Sequence, residues 1–537
     1  MSFCRSSAVE VAAQSRAKQI LVTGGVMRSH HLAVVPVVEG LLERGHNVTM
    51  IIPNTTEAHG WFPAGIGAAQ LVFVGDEDAS FSSIKIPDMK NLQWHERILA
   101  WGRIVWNYRS MVDKPFFSVL DDFVTLIQHN RFDAAFSSAI SIGCNAALKR
   151  SDIPWVAFMS VPPFPELVLS DSEEVCKYPN MLNPRSVPDL RTSLVLRVRN
   201  RIECMMLQAY IKFGFSVMNS VLRDRGYEPA EDYTKILLGA PTNIMLGGPP
   251  LTLPIKLPSG SHVVGTVERQ KPRSLPTELG HWLDDAGTFP VIYVSMGTKY
   301  EFTNSSGSKL MKELSSLMEE GFRILWSLRA SQQQALQHLL PPASHRLQIE
   351  EFTPQPEVLA HPAVKAFFSH CGWGGVTDTL AAGVPVLAYP SFSDQRGNAQ
   401  RLVEIGAAVL VHPDFSNLKE AGCHKYAVAL CKQRGHCKTK DLQSFGGLGR
   451  TLDLIEAAAE GRFPELLPHV QEKMSQVDPL FLRDHGVEKT LSVIFLILMI
   501  CVLLICCRLT FLFARRCLAA LRRVLLRRWA ARKNVNC

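Results

Sequence analysis

Apolar positions in this 537-residue chain fall into short blocks, each closed by a glycine, a hydroxyl or a charge. Residues 20–23 (ILVT) form one block, and Gly24-Gly25 follows, which predicts a buried strand and its turn. A helical stretch from His31 to Leu42 comes next, ended by Arg44-Gly45-His46, and a second strand opens at Asn47. Residues 132–138 (FDAAFSS) and the Val263-Val264-Gly265 step predict further strands. Residues 291–298 (VIYVSMGT) predict a buried strand that stops in Ser-x-Gly-Thr. Another apolar run at 364–368 meets a glycine-rich turn, then a helix-like stretch that stops at Gly383, then a run that closes at Pro390. Near-continuous apolar strands alternating with helices predict parallel sheets covered on both faces. A chain this long, 47% apolar, can bury two domain cores.

The chemistry concentrates in residues 352–395, FTPQPEVLAHPAVKAFFSHCGWGGVTDTLAAGVPVLAYPSFSDQ. A strand leads into His370 and the glycines Gly372, Gly374 and Gly375, and a helix opens on that turn. Such a turn offers bare backbone N–H groups and the positive end of a helix to an anion. The register of Pro354-Gln355, His370, Gly372, Asp378, Gly383-Val384-Pro385, Pro390 and Asp394-Gln395 resembles the signature segment of the UDP-dependent glycosyltransferases. Further stretches extend the resemblance over about residues 18–465, including Asn398-Ala399 and Arg401, which match the animal branch.

The resemblance implies a GT-B fold: two doubly wound Rossmann-like α/β domains facing across a cleft. It implies an acceptor-binding domain over 18–265, a linker over 266–284 and a donor-binding domain over 285–465. Phe352 stands where the family stacks an aromatic on uracil, Gln355 at the base and ribose, and Asp378 in the first helical turn as acceptor for the ribose hydroxyls. His370 and the N–H groups of Gly374 and Gly375 would face the diphosphate beside Gly372, with Gly297 and Thr298 approaching the phosphates. Asp394 and Gln395 would bond sugar hydroxyls. Trp373 fits either a family role or packing. The expected co-substrate is a UDP-sugar, with no further cofactor and no metal.

The family carries its general base as a histidine in the loop after the first strand. His30 matches, fifteen residues before Gly45, with His31 the neighbouring alternative. An imidazole can accept a proton near neutral pH. The family orients that histidine with an aspartate, and here the position holds Ser138. A serine supplies no charge to an imidazolium, and Asp133 lies at the far end of the same strand. The implied activity is inverting transfer of a hexose, glucose or glucuronic acid, to a hydroxyl of a small lipophilic acceptor. Ser138 keeps open a UDP-sugar-binding or scaffold protein with little turnover. The membrane tail described next keeps open an enzyme on lipid-linked sugars. The aromatic cluster of Trp94, Trp101, Trp106 and Tyr108 is a candidate for part of the acceptor face, or for core.

Charge changes the picture only at the end of the chain. Nine of the basic residues fall in 508–537, so the net charge of +8 drops to −1 without them, and no nucleic-acid face is implied. Residues 490–507 (TLSVIFLILMICVLLICC) carry no charge and, at ~1.5 Å per residue, reach just far enough to cross a bilayer. They predict a single-pass anchor in contact with membrane lipids, and the resemblance, whose animal members also end in one transmembrane helix and a short basic tail, implies the endoplasmic reticulum. The basic tail beyond argues for a lumenal body. Residues 1–19 lack the apolar core of a signal peptide, which argues for a cytosolic one. The thirteen cysteines include no CxxC pair, and the loose group Cys423, His424, Cys431, His436, Cys437 lacks zinc spacing. Cysteines in apolar runs suggest reduced packing residues. A homo-oligomer is left open.

Overall fold

The structure, a computed structural model, describes residues 17–77, 109–267, 273–422, 444–476 and 480–499, apart from isolated positions within them, and residue 508. The aromatic cluster at 94–108, the Cys/His group at 423–437, part of the expected linker and residues 500–507 of the expected membrane span lie outside the described residues.

The apolar blocks become two fully parallel sheets. The first comprises β1 (Gln19–Thr23), β2 (Asn47–Pro53), β3 (Gln70–Val74), β4 (Ala134–Ser138), β5 (Trp155–Met159), β6 (Thr242–Met245) and β7 (Ser261–Val263). Its order is β3-β2-β1-β4-β5-β6-β7. The second comprises β8 (Val291–Ser295), β9 (Arg323–Ser327), β10 (Leu347–Glu350), β11 (Val364–Ser369), β12 (Val386–Ala388) and β13 (Ala408–Leu410), in the order β10-β9-β8-β11-β12-β13. Strands such as β4, β5 and β8 are buried at every position, as strands covered on both faces must be. In each sheet the order reverses next to the first strand, between β1 and β4 and between β8 and β11. That reversal opens a crevice at the carboxyl ends of the strands. These are the two doubly wound domains that the resemblance implied.

The helices used below are α1 (Arg28–Glu43), α2 (Ile142–Arg150), α3 (Leu194–Asp224), α4 (Asn304–Glu319), α5 (Gln355–Ala360), α6 (Trp373–Ala382), α7 (Gln395–Glu404) and α8 (Gly447–Ala459). Helix α6 ends where the sequence said, with Gly383 in the left-handed conformation as its cap. Helix α8 is placed differently from expectation. It falls within 285–465, yet it packs on α1 and on the first sheet. The Cα of Gly40 on α1 faces the Leu452 side chain, so closely that a Cβ there would lie 2.8 Å from Leu452 Cδ1. Arg44 reaches Asp453 (2.9 Å) and Glu456 (2.7 Å), and His46 Nε2 meets Glu456 at 2.9 Å. The apolar face of α8 finds its partner on the earlier domain, which no local pattern encodes. One apolar cluster accordingly runs from Val34 and Val38 through Leu452 to Trp373 and Leu402, joining the domains.

Two further expectations change. Cys176 and Cys204 are bonded as a disulfide that ties the segment before α3 to α3 itself, with Cα atoms 5.5 Å apart. The reading of the cysteines as reduced packing residues holds for the buried Cys144 and Cys371 and fails for this pair. Residues 486–499 are helical and present Ile494, Phe495, Ile497 and Leu498 to the exterior. No helix among the described residues is long and apolar enough to cross a membrane.

Candidate functional site

The donor side is built on the turn between β11 and α6. His370 leaves the buried end of β11, and its imidazole lies between two glycines. A Cβ on Gly297, after β8, would come within 2.6 Å of the ring, and one on Gly372 within 2.5 Å. Any side chain at either position would expel the histidine, which is the physical reason for glycine at both. Cys371 between them has φ 62°, and Ser393, just before Asp394, has φ 56°. Backbone strain of this kind costs of order 1–3 kcal/mol and persists where the surroundings impose it. Asn398 donates to the Cys371 carbonyl (3.0 Å) and to Asp394 Oδ2 (2.8 Å), joining the two strained turns.

Helix α6 starts at Trp373 with Gly372 as an N-cap that provides no side-chain acceptor. Its first N–H groups therefore have no partner within the helix. A Cβ on Gly374 would meet nothing within 4 Å, so this face of the turn is open; Gly375 instead packs against Phe367 and Ser369. Thr298 lies half-buried at the end of β8. Trp373 is buried, its ring against Gly247 of the other domain. Asp378 sits in the second turn of α6, not the first, because the helix begins one residue after Gly372. It accepts a hydrogen bond from Gln355 Nε2 at 2.7 Å, so the expected base and ribose residues are already joined. Gln395 is buried at the start of α7 and accepts from the Ser391 N–H at 2.9 Å.

Burial sets the electrostatics. It pushes His370 down to about 4, leaving a neutral imidazole at pH 7. It raises Asp394 to about 6, against the donation from Asn398. Phe352 is 53% exposed. The guanidinium of Arg28, from the first turn of α1, lies 4.5 Å above its ring. This cation–π contact crosses the cleft.

On the acceptor side, β1 and the following turn place His30 and His31 in the first turn of α1. They diverge sharply. His31 is fully buried, its Nδ1 3.2 Å from the Met27 carbonyl and its Nε2 3.0 Å from the Ile51 carbonyl, with Trp61 against the ring. It has no nitrogen left for a substrate. His30 is half-buried, and its Nδ1 is hydrogen-bonded to Ser160 Oγ, just beyond β5. Burial, and then the neighbouring His31, lower it to about 4. Ser138 is buried and its hydroxyl has no hydrogen-bond partner among the described residues. Asp133 binds the Gln19 N–H at 2.7 Å at the opposite end of the strands. No described carboxylate is hydrogen-bonded to or ion-paired with His30. Beyond Ser160, residues 162–165 turn toward α7, where Phe164 abuts Gly397. There Phe164, Met181, Leu251 and Trp373 border a small interdomain pocket. Sequence reasoning missed Ser160 and Arg28, since a serine after an apolar run and an arginine before a histidine carry no local signal.

The sequence profile described as UDP-glucoronosyl and UDP-glucosyl transferase matches residues 19–422. The chain belongs to this family. A UDP-glucuronosyltransferase 2B19 of Macaca fascicularis is 23% identical over 409 residues, 73% of each chain. An anthocyanidin 3-O-glucosyltransferase 1 of Fragaria ananassa is 39% identical over 124 residues, 23% of this chain. The match to that plant relative spans about a quarter (26%) of its length. Among solved structures, the calicheamicin glycosyltransferase CalG4 superposes with a TM-score of 0.55 at 18% identity, covering 84% of this chain and all (100%) of that one. A UDP-glucose:anthocyanidin 3-O-glucosyltransferase in complex with UDP gives 0.52 at 14% identity, over 82% of this chain and 99% of the other. These likenesses establish the two-domain GT-B arrangement.

Proposed function

We propose that this family member transfers a hexose, glucose or glucuronic acid, from a UDP-sugar to a hydroxyl of a small lipophilic acceptor, with inversion. The observation that carries the reading is the contact of Arg28 with Phe352. Arg28 is two residues from His30, and Phe352 is the exposed aromatic of the donor segment. Base and donor segment therefore face one cleft. His30 Nε2 takes the proton of the acceptor hydroxyl, whose oxygen attacks the anomeric carbon from the face opposite UDP. The bond to the β-phosphate oxygen breaks, and its electron pair leaves with UDP. Such a transition state is oxocarbenium-like. The negative charge that grows on UDP meets the open N–H groups at the start of α6 and the neutral His370, donors fixed before the reaction. Asp378 and Gln355 hold the ribose, and Asp394 and Gln395 the sugar hydroxyls. The reading calls for no metal, because these donors meet the diphosphate charge. The apolar border of the space between Phe164 and Trp373 suits a lipophilic acceptor. Purified full-length protein, screened against UDP-sugars and lipophilic alcohols and phenols, is expected to release UDP only when an acceptor is present. Tight UDP binding with no turnover on any pair would instead identify a binding protein.

We further propose that the body lies in the lumen of the endoplasmic reticulum, held by the uncharged apolar stretch of residues 490–507. The Cys176–Cys204 disulfide supports an oxidising compartment. Asn304 of the sequon Asn304-Ser305-Ser306 is exposed at the start of α4, and Asn54 of Asn54-Thr55-Thr56 is half-buried. Expressed from its full-length native transcript in a eukaryotic cell, the protein should lose mass on endoglycosidase treatment, and Asn304→Gln should remove most of that shift. No shift, with protease access to residues 1–489 in sealed microsomes, would put the body in the cytosol.

A further inference from the structure

No described carboxylate orients the base in this cleft, yet its ring is not loose. We infer that Ser160 is the positioning residue of His30, fixing the tautomer and direction of the imidazole from a different strand than the one expected to do so. The inference rests on the transferase reading above and adds a residue to it.

Sheet order explains how this arises. The strands β1, β4 and β5 are consecutive, so β5 lies two strand spacings, roughly 10 Å, from β1. His30 follows β1 and Ser160 follows β5, both at the carboxyl edge of the sheet. The imidazole reaches across the end of β4, where Ser138 sits, and bonds Ser160. Ser138 is passed over, its buried hydroxyl unpartnered. The adjacent Ser137 is no substitute, since its hydroxyl is given to Asn145 on α2 at 2.5 Å. Side chains of neighbouring strand residues point to opposite faces. Of the two serines of β4, one is buried without a partner and the other is given to Asn145, and among the described residues Ser160 is the side chain that bonds the ring.

The bond is to Nδ1. With the hydroxyl accepting from Nδ1–H, the lone pair of Nε2 is free for the acceptor's proton. When Nε2 is protonated the ring becomes an imidazolium, and Ser160 still accepts from Nδ1–H. A neutral hydroxyl stabilises that cation less than a carboxylate would, so the device gives orientation with little charge.

The test uses full-length protein labelled with 15N-histidine, with the His30 signals assigned by their loss in His30→Ala. The wild type should show His30 as a single Nδ1–H tautomer. Ser160→Ala should redistribute it toward Nε2–H, whereas Ser160→Thr, which keeps the hydroxyl, and Ser138→Ala should not. In turnover, Ser160→Ala should lower kcat ~10-fold, the worth of one oriented hydrogen bond. The KM for the UDP-sugar and the affinity for UDP should change less than about two-fold, and Ser160→Thr should restore kcat. An unchanged His30 tautomer in Ser160→Ala overturns the inference, as does a Ser138→Ala variant that alters it. Lack of wild-type turnover would overturn the transferase reading alone, because the tautomer measurement does not depend on it.

Discussion

Asp378 is the residue whose role is most directly exposed to measurement. Its carboxylate is already engaged by Gln355, at 2.7 Å. A bound ribose would meet a carboxylate held in place instead of one that must be ordered. On the proposed reading, removing it loses the acceptor for two ribose hydroxyls and frees the Gln355 amide. At about 0.5–1.5 kcal/mol per net hydrogen bond, Asp378→Ala should weaken UDP roughly 10- to 100-fold by calorimetry. Unchanged affinity would remove Asp378 from the ribose site. The placement of Asp378, His370 and the glycines on one continuous strand–turn–helix was legible in the sequence, because spacing there fixes geometry. Ser160 and Arg28 were not. Ser160 is brought to His30 by strand order, and Arg28 to Phe352 by the approach of two domains. The preference for His30 over His31 was drawn from spacing, and the fold surrounds His31 with backbone carbonyls.

At the scale of elements, the strands and the turn of the donor segment followed from apolar blocks and glycine stops. Helix α8 did not. Its amphipathic pattern says that one face is buried, but not in which domain. The structure buries Leu452, Leu454 and Ile455 in the apolar cluster that includes the core of the first domain. Leu452→Ala should cost about 2–5 kcal/mol through the cavity left opposite Gly40. The thermal midpoint should fall, and amide exchange should rise in α1 while β8 and β11 remain protected. Exchange rising first in β8 and β11 would assign α8 to the donor domain instead. The Cys176–Cys204 bond escaped for a related reason, since a pair 28 residues apart is recognised only when α3 folds back on the preceding segment.

At the scale of the molecule, burial of ionisable groups links stability to pH. His30, His31, His262 and His370 are each lowered to about 4, all chiefly by burial. Between about pH 4 and 6.5 the unfolded chain binds protons that these four sites refuse, so their contribution is present above 6.5 and lost on acidification. Glu166 is raised to about 7 and Asp394 to about 6, also by burial. They act in the opposite sense, because the folded state keeps their protons while the unfolded state releases them. Four sites against two leave a net uptake of up to about two protons on unfolding near pH 5, a slope of roughly 2–3 kcal/mol per pH unit. Denaturant unfolding should show stability rising from pH 4.5, more slowly above about 6.5, and levelling by about pH 7.5. A decline from pH 4.5 to 6.5 would show that the two carboxyl groups outweigh the histidines.

The central claim is that a base on the first domain and a donor site on the second work as one cleft. The direct measurement compares wild-type and His30→Ala full-length protein in acceptor-dependent UDP release, with UDP affinity determined on the same preparations. The account predicts loss of transfer by at least about 100-fold, the contribution of a general base, with UDP affinity unchanged. Transfer at the wild-type rate by His30→Ala would contradict it.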